Sequence, residues 1–160
     1  SVSLSPATVT GGTSATGTVT LAGPAPSDGT FISLTSTHSA AGVPSSLTIP
    51  AGSTSGTFPI TTSAVGTTVS ASIQASSTNT ASQILTVLSP CISGLTLSIG
   101  SLVGGQNTTG TVTLTGPAPS GGASIPLAYV GSGVTGPANV VVPVGATSAT
   151  FSVGTAAVST

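Results

Sequence analysis

The stretch TGTVTLAGPAPSDG at Thr16–Gly29 returns almost unchanged as TGTVTLTGPAPSGG at Thr109–Gly122, 93 positions later. The likeness continues on both sides, because residues 1–67 align with residues 94–160 without a gap and are identical at 30 of the 67 pairs. Self-similarity at a fixed period indicates tandem units. A period of 93 residues is too long for one rung of a solenoid and is close to the length of one β-sandwich domain.

The composition limits the classes of fold and of function that the chain can have. The chain of 160 residues has no Lys or Arg, one acidic residue and one His, so charged residues make up 1%, against about 25% in average proteins. Without basic side chains the chain lacks the phosphate contacts that carry nucleic-acid affinity and the attraction to anionic lipid. No apolar run reaches the roughly 20 residues of a membrane-spanning helix. The hydrophobic residues, 38% of the chain, are mostly β-branched or small, which favours strands.

Alternating polar and apolar residues between Gly- and Pro-rich turns predict an all-β fold. Val19 and Leu21 point to one face of a strand, for example, while Thr18 and Thr20 point to the other. The predicted strands of the first unit are Ser1–Ser5, Thr16–Ala22, Thr30–Ser36, Ser46–Pro50, Ser55–Ile60, Thr68–Ala75 and Ser82–Leu88. Short strands at this spacing are typical of an immunoglobulin-like antiparallel sandwich. We therefore predict two such units in tandem, residues 1–90 and residues 91–160.

A resemblance to a known class of repeat is carried by short motifs in the first unit and by their counterparts in the second. These motifs are Gly17–Leu21, Gly23–Pro26, Pro44, Ile49–Gly52 and Thr54–Phe58. They resemble the immunoglobulin-like repeats found in tandem in large secreted bacterial surface and filament proteins. The resemblance implies a non-catalytic structural subunit of an extracellular filament or cell-surface polymer. The alternative that it implies is a stalk, or a carbohydrate-binding or adhesive module, of a larger secreted adhesin.

The second unit is incomplete, about two-thirds of a unit, because nothing in it corresponds to Thr68–Leu88, the last two strands of the first unit. In a sandwich those strands lie beside the strand that holds Ile125 and Leu127. Without them, we expect the apolar residues of the second unit to lose part of their cover, and burial of each such side chain is worth roughly 1.5–3 kcal/mol. The residues concerned are Val112, Leu114, Ile125, Leu127, Val142 and Phe151.

Several explanations of the incomplete unit stay open at this point. The chain is a piece of a longer protein, or its ordered part ends early, or a neighbouring subunit supplies strands by β-augmentation. Another assignment makes residues 68–160 the complete, permuted unit and residues 1–67 the open one. A head-to-tail contact that does not close on itself propagates as a filament, so supply by a neighbouring copy predicts a homopolymer.

No catalytic, metal or cofactor site is expected. Asp28 and His38 flank a predicted strand and lie roughly 23–33 Å apart if that strand is extended. The second unit has Gly121 and Gly131 at these positions, so the fold needs neither side chain. Catalytic triads and metal sites need clustered His, Cys, Asp or Glu. A single His, a single Cys and a single acid, scattered along the chain, predict that the protein is not an enzyme.

Four residues are candidates for assembly: Cys91, Ile125, Leu127 and Phe151. Cys91 is expected at the boundary between the two sandwiches, either buried as a small hydrophobe or joined to another subunit by a disulfide, because one Cys cannot form an internal bridge. Asn107 begins an Asn-Thr-Thr sequon and is a candidate glycan acceptor. The expected partners are copies of this chain, and glycans.

The near absence of charge bears on assembly. Uncharged strand edges invite pairing with other chains, and Lys, which usually protects them, is missing here. The Thr rows at residues 16–20 and 109–113 are interpreted as the outer faces of the sandwiches, with binding of ice or of ordered carbohydrate as the alternative. The sequence therefore favours an extracellular polymer over a free monomer.

Overall fold

The computed structural model describes residues 1–157. All the secondary-structure elements of these residues are β-strands. The all-β prediction is confirmed. No helix in residues 1–157 is long and apolar enough to cross a membrane. The chain divides into two compact units, Ser1–Ser89 and Pro90–Thr160, called unit 1 and unit 2 below. Residues 158–160, which end the second predicted domain, lie outside the described residues.

Unit 1 is built from nine strands in two sheets. They are β1 (Val2–Ser5), β2 (Thr8–Thr10), β3 (Ala15–Thr20), β4 (Thr30–Ser36), β5 (Ala41–Gly42), β6 (Ser46–Ile49), β7 (Ser55–Thr62), β8 (Val69–Ser76) and β9 (Thr80–Leu88). One sheet has the order β1-β3-β7-β5 and the other has the order β2-β9-β8-β4-β6. All pairs are antiparallel except β2 with β9, which is parallel. Apolar side chains of both sheets form one buried cluster, which gives unit 1 a sandwich-like core.

Strict alternation explains why these segments form half-buried strands. In β3, Gly17 and Val19 face the core while Thr16 and Thr20 face solvent, as period-2 patterning requires. Gly17 is opposite Phe58 of β7, and a Cβ at Gly17 would overlap the Phe58 ring. The glycine therefore makes room for the largest side chain of the core.

The end of the repeated stretch, residues 26–29 and 119–122, forms the turn that leads into the next strand. The amide of Gly29 donates to the carbonyl of Pro26 at 2.8 Å, and the amide of Gly122 donates to the carbonyl of Pro119 at 2.9 Å. Gly29 has φ +77° and Gly122 has φ +78°, a conformation that glycine adopts without the steric cost that a Cβ would bring. The repeat thus encodes the same turn twice.

Unit 2 repeats six of these strands. They are β10 (Ile92–Leu97), β11 (Asn107–Leu114), β12 (Ala123–Pro126), β13 (Val134–Thr135), β14 (Asn139–Val142) and β15 (Ser148–Thr155). The sheet β10-β11-β15-β13 has the same order as β1-β3-β7-β5, and β12 pairs with β14 as β4 pairs with β6. The registers also repeat with the offset of 93, since Gly17 is opposite Phe58 and Gly110 is opposite Phe151.

Unit 2 has no counterparts of β8 and β9 within residues 90–157. In unit 1 the hairpin β8–β9 lies in the same sheet as β4 and β6, so the alternative assignment of this hairpin to the second unit is wrong. The loss shortens β12. β4 extends to Ser36, and its last four residues pair with β8, whereas β12 ends at Pro126 although the counterpart of Ser36 is Tyr129.

Candidate functional site

An open apolar groove marks the place in unit 2 where unit 1 has β8 and β9. The cavity within it is about 210 Å³. Its lining residues are apolar except for one phenol: Leu95, Leu97, Leu127, Ala128, Tyr129, Val130, Val134, Phe151 and Val153. These residues are called the unit 2 groove below. None of them carries a charge, so the groove offers mainly apolar surface.

Most counterparts of the groove residues belong to the core of unit 1, whereas Thr35 and Thr37, the counterparts of Ala128 and Val130, are exposed. Leu34, Ala41, Phe58 and Ile60 are buried there, and Leu4 packs against them. The inward side chains of β8 and β9, such as Ile73, belong to the same cluster. The unit 2 groove is therefore the same core with one part of its second sheet left out.

Exposure in unit 2 falls on residues that the sequence did not identify. Leu95 is 54% exposed, Leu97 is 44% exposed and Val130 is 96% exposed. The unit 1 counterparts of the two leucines, Val2 and Leu4, are half-buried. The repeat could have predicted this exposure. Leu95 and Leu97 lie on the first strand of unit 2, and the corresponding strand of unit 1, β1, contacts β9, which has no counterpart in unit 2 within the described residues.

The prediction that six apolar residues of unit 2 lose part of their cover is only partly correct. Ile125 and Leu127 are half-buried, as expected, whereas the other four remain buried: Val112, Leu114, Val142 and Phe151. The physical reason is that β12 and β14 still cover the centre of the larger sheet, where they form two small buried clusters with it. Of the candidate assembly residues, Leu127 and Phe151 line the groove, and Ile125 packs beside it.

Tyr129 covers part of the groove. It stands where unit 1 has Ser36, packs against the buried cluster that contains Phe151, and donates its hydroxyl to the carbonyl of Pro137 at 3.1 Å. A Cβ at Gly136 would overlap the Tyr129 ring, so that glycine makes room for the ring. Tyr129 is the single Tyr of a chain without Trp, and its fluorescence therefore reports on this groove alone.

Cys91 lies between the last residue of β9, Leu88, and the first residue of β10, Ile92. The expectation that its side chain is buried is wrong, because the thiol is exposed and free. Its amide donates to Oγ1 of Thr115 at 3.0 Å, and its Sγ lies 3.7 Å from the same oxygen. Because Thr115 itself is exposed, this contact holds Cys91 at the surface. An intersubunit disulfide stays a prediction.

The remaining candidate residues lie apart from the groove. Asn107 is exposed at the start of β11 and is opposite Gly154, so its role as a glycan acceptor stays a prediction. His38 Nδ1 accepts the amide of Ala40 at 3.1 Å, and the imidazole thereby stabilises a turn. In residues 1–157 no three His, Cys, Asp or Glu side chains are close enough to hold a metal ion. That the protein is not an enzyme also stays a prediction.

The outer faces of the two four-stranded sheets, β1-β3-β7-β5 and β10-β11-β15-β13, carry rows of hydroxyl groups. Ser3 is in register with Thr18, and Thr18 is in register with Thr57. In unit 2 the corresponding row is Thr96, Thr111 and Thr150. Adjacent hydroxyls in such a row are spaced by the inter-strand distance of about 4.8 Å.

No known protein family matches the chain, and no curated protein matches it. The informative comparison is therefore internal, between unit 2 and unit 1. It identifies the groove as the part of the repeat whose apolar surface is closed in one unit and open in the other.

Proposed function

We propose that this chain is a non-catalytic structural subunit of an extracellular filament or cell-surface polymer. It is built from tandem immunoglobulin-like sandwich units and assembles by strand complementation or by tandem stacking. The observation that carries the proposal is the unit 2 groove, which leaves Leu95, Leu97 and Val130 in solvent. Exposed contiguous apolar surface of this kind marks an interaction site.

The energetics favour a covered groove. Burying one Leu or Val side chain completely contributes roughly 1.5–3 kcal/mol, and several groove residues gain cover together. The net charge of −1 gives the chains almost no mutual repulsion. Uncharged strand edges also lack the Lys residues that keep neighbouring chains apart. Association of these subunits therefore meets little electrostatic opposition.

The absence of Lys and Arg supports a location outside the cell. A chain without either residue has no bond that a trypsin-like protease cleaves. The surface is instead Thr, Ser, Gly and Ala, which resists such proteases in an exposed polymer. Copies of this chain are the proposed partners, and glycans are further candidates through the exposed side chain of Asn107.

A second candidate function is a stalk, or a carbohydrate-binding or adhesive module, of a larger secreted adhesin. The observation that favours it is the pair of hydroxyl rows on the outer faces of the four-stranded sheets, one in each unit. Regularly spaced hydroxyls can donate to and accept from the hydroxyls of a polysaccharide. This candidate predicts binding to a glycan by chains that stay monomeric.

Negative-stain electron microscopy of the purified chain separates the two functions. The structural function predicts filaments with a regular axial repeat, and it predicts that Leu97→Asp reduces their number because the carboxylate would be buried in the contact. Val141→Asp is the matched control, since Val141 is an exposed residue of unit 2 outside the groove. Monodisperse particles that bind a polysaccharide would contradict the filament and support the adhesin.

A further inference from the structure

We propose that Phe31 and the hydroxyl groups around it form a binding site for a neutral β-linked glucan on the outer face of the five-stranded sheet of unit 1. The Phe31 ring stacks on the C–H face of one pyranose unit, and the neighbouring Ser and Thr side chains bond to the hydroxyls at its edge. The inference goes beyond the proposed structural function, because it needs no filament. The site also lies on a different sheet from the hydroxyl row of unit 1.

Phe31 is the aromatic side chain that the fold leaves in water. It is 64% exposed, whereas Phe58 is 2% exposed and Phe151 is 9% exposed. The remaining aromatic residue, Tyr129, packs against a buried cluster. A single exposed aliphatic residue is ordinary, but Phe belongs to the residue types that are most often fully buried. Its ring presents a flat apolar face with negative charge density, which attracts the weakly positive C–H groups of a sugar ring.

The repeat shows that the fold does not need an aromatic residue at this position. Phe31 is opposite Thr48. Its counterpart, Ser124, is opposite Val141 in the same register, and the hydroxyl of Ser124 accepts from the amide nitrogen of Asn139 at 3.3 Å. Period-2 patterning favours a polar residue on an outer face, and Phe31 departs from that pattern. Such local departures are expected at functional sites.

Hydroxyl-bearing side chains surround the ring. Thr48 lies directly opposite Phe31 on β6, and Ser33 follows on the same face of β4. Ser46 and Ser76 are in register with Ser33 on the two neighbouring strands. In antiparallel sheets a directly opposite Cβ lies about 5 Å away and a diagonal one about 7–8 Å away. The four hydroxyls therefore lie around a pyranose ring centred on Phe31, and each can donate and accept a hydrogen bond.

The edge of the sheet adds backbone groups to the site. Within the described residues β6 pairs only with β4, and the amide of Leu34 donates to the carbonyl of Ser45 at 3.0 Å. Because hydrogen-bonded and free positions alternate along an antiparallel pair, the amides and carbonyls of Ser46 and Thr48 point away from β4. They are available to the hydroxyls of a sugar that extends from Phe31 across Thr48.

The composition restricts the ligand to a neutral sugar. Nucleobases also stack on aromatic rings, but their phosphates need basic side chains, and the chain has none. Asp28, the single acidic residue, lies in the turn before β4 and repels an anionic sugar. In a β-linked glucan the ring hydroxyls are equatorial, so each ring has a flat C–H face and hydroxyls at its edge. Phe31 and its neighbours complement these two features.

A fluorescence titration tests the stacking contact. The chain has no Trp, so Phe31→Trp places a single indole at the site and keeps a flat ring there. We expect a saturable change of its fluorescence on addition of cellohexaose, and none on addition of sorbitol, which has hydroxyls but no ring face. Ser124→Trp is the matched control, because its neighbours Val141 and Pro126 carry no hydroxyl. It should need about tenfold more cellohexaose.

Calorimetry tests the same contact in the parent chain. Phe31→Ser installs the unit 2 residue and should weaken cellohexaose binding about tenfold, because the stacking contact is lost. Thr48→Val also installs the unit 2 residue and should weaken binding about threefold, because one hydrogen bond is lost. Both variants should keep the circular dichroism spectrum of the parent chain, since unit 2 forms the same strand pair with Ser124 and Val141.

Several results would overturn the inference. One is an equal response of Phe31→Trp and Ser124→Trp to cellohexaose, or no saturable response at all. Another is calorimetric binding that Phe31→Ser leaves unchanged, which would place the sugar on the hydroxyl rows instead. A change in Phe31→Trp fluorescence with protein concentration, without sugar, would assign this face to a second copy of the chain. Filaments that bind no cellohexaose would refute the site alone, and cellohexaose binding by a chain that forms no filaments would refute the proposed function alone.

Discussion

Phe58 in unit 1 and Phe151 in unit 2 occupy the same position of the same strand, and each lies against a glycine of the neighbouring strand. Phe58 is 2% exposed and Phe151 is 9% exposed. The sheets around them have the same strand order and the same registers. What differs is the second sheet, which has five strands in unit 1 and two in unit 2.

The two units differ in how much of their apolar surface is covered, and they agree in how their strands pair. The local sequence pattern determines which residues are paired between neighbouring strands. These pairs are the same in unit 1, which has the complete second sheet, and in unit 2, which does not. Distant strands set how much of the apolar face is covered. Unit 2 therefore keeps the architecture of the repeat while it leaves Leu95 and Leu97 more exposed than their unit 1 counterparts.

The largest expected effect comes from removing the two Phe rings. Phe58→Ala should lower the free energy of unfolding of unit 1 by about 3–5 kcal/mol, because a closed core retains the cavity. Phe151→Ala should cost unit 2 about 1 kcal/mol less, since the neighbouring groove is open and the site can collapse or fill with water. Amide hydrogen exchange, measured separately in β7 and β15, gives each value.

The Phe comparison has an internal control, because each variant should leave the other unit unchanged. Equal losses in the two units would mean that the groove of unit 2 is closed in solution. In that case the two cores would be equivalent, and the groove would carry no function.

Adding a methyl group to the glycine opposite each Phe ring gives a second comparison of the two units. Gly17→Ala and Gly110→Ala each place a Cβ where it overlaps the ring of Phe58 or Phe151, and overpacking of a core costs about 1–3 kcal/mol. In unit 1 the ring lies in a closed core that it shares with side chains of β8 and β9, whereas in unit 2 it lines the groove and can shift toward it. Thermal unfolding should therefore show the larger loss for Gly17→Ala, and the opposite order would indicate a rigid unit 2.

Most of the fold could be predicted from the sequence because its signals are local. Alternation and turn residues located seven strands of unit 1, and the offset of 93 located their counterparts. β2 and β5 were missed, since strands of three and two residues are too short to show a period of two. The parallel pairing of β2 with β9 is a contact between distant segments, which patterning does not report.

The groove was predicted only in part for the same reason. The missing hairpin was evident, and it identified Ile125 and Leu127 correctly as residues with reduced cover. The burial of Val112 and Val142 was not expected, because it depends on how β12 and β14 pack across the larger sheet. The role of Tyr129 was also missed, since its contact with Pro137 depends on a loop conformation.

Tyr129 offers a smaller test of how unit 2 tolerates its open side. Tyr129→Phe removes the hydrogen bond to the Pro137 carbonyl and should cost unit 2 about 0.5–1.5 kcal/mol. Tyr129→Ser installs the unit 1 residue and should cost more, because the ring no longer covers the groove. Urea unfolding followed by circular dichroism measures both variants, and a neutral Tyr129→Ser would show that the ring contributes no cover.

The smallest effect is expected at Cys91, which tests whether the difference between the units lies in the groove or in the thiol. Cys91→Ser should change the stability of unit 2 by less than about 0.5 kcal/mol, because the side chain is exposed. One Cys per chain can join two chains and no more, so a disulfide can cap a pair of subunits but cannot propagate a filament. We therefore expect Cys91→Ser to form filaments as the parent chain does, in oxidising and in reducing buffer alike. Filaments that dissolve on reduction, or that Cys91→Ser fails to form, would place the assembly contact at Cys91 and not at the unit 2 groove.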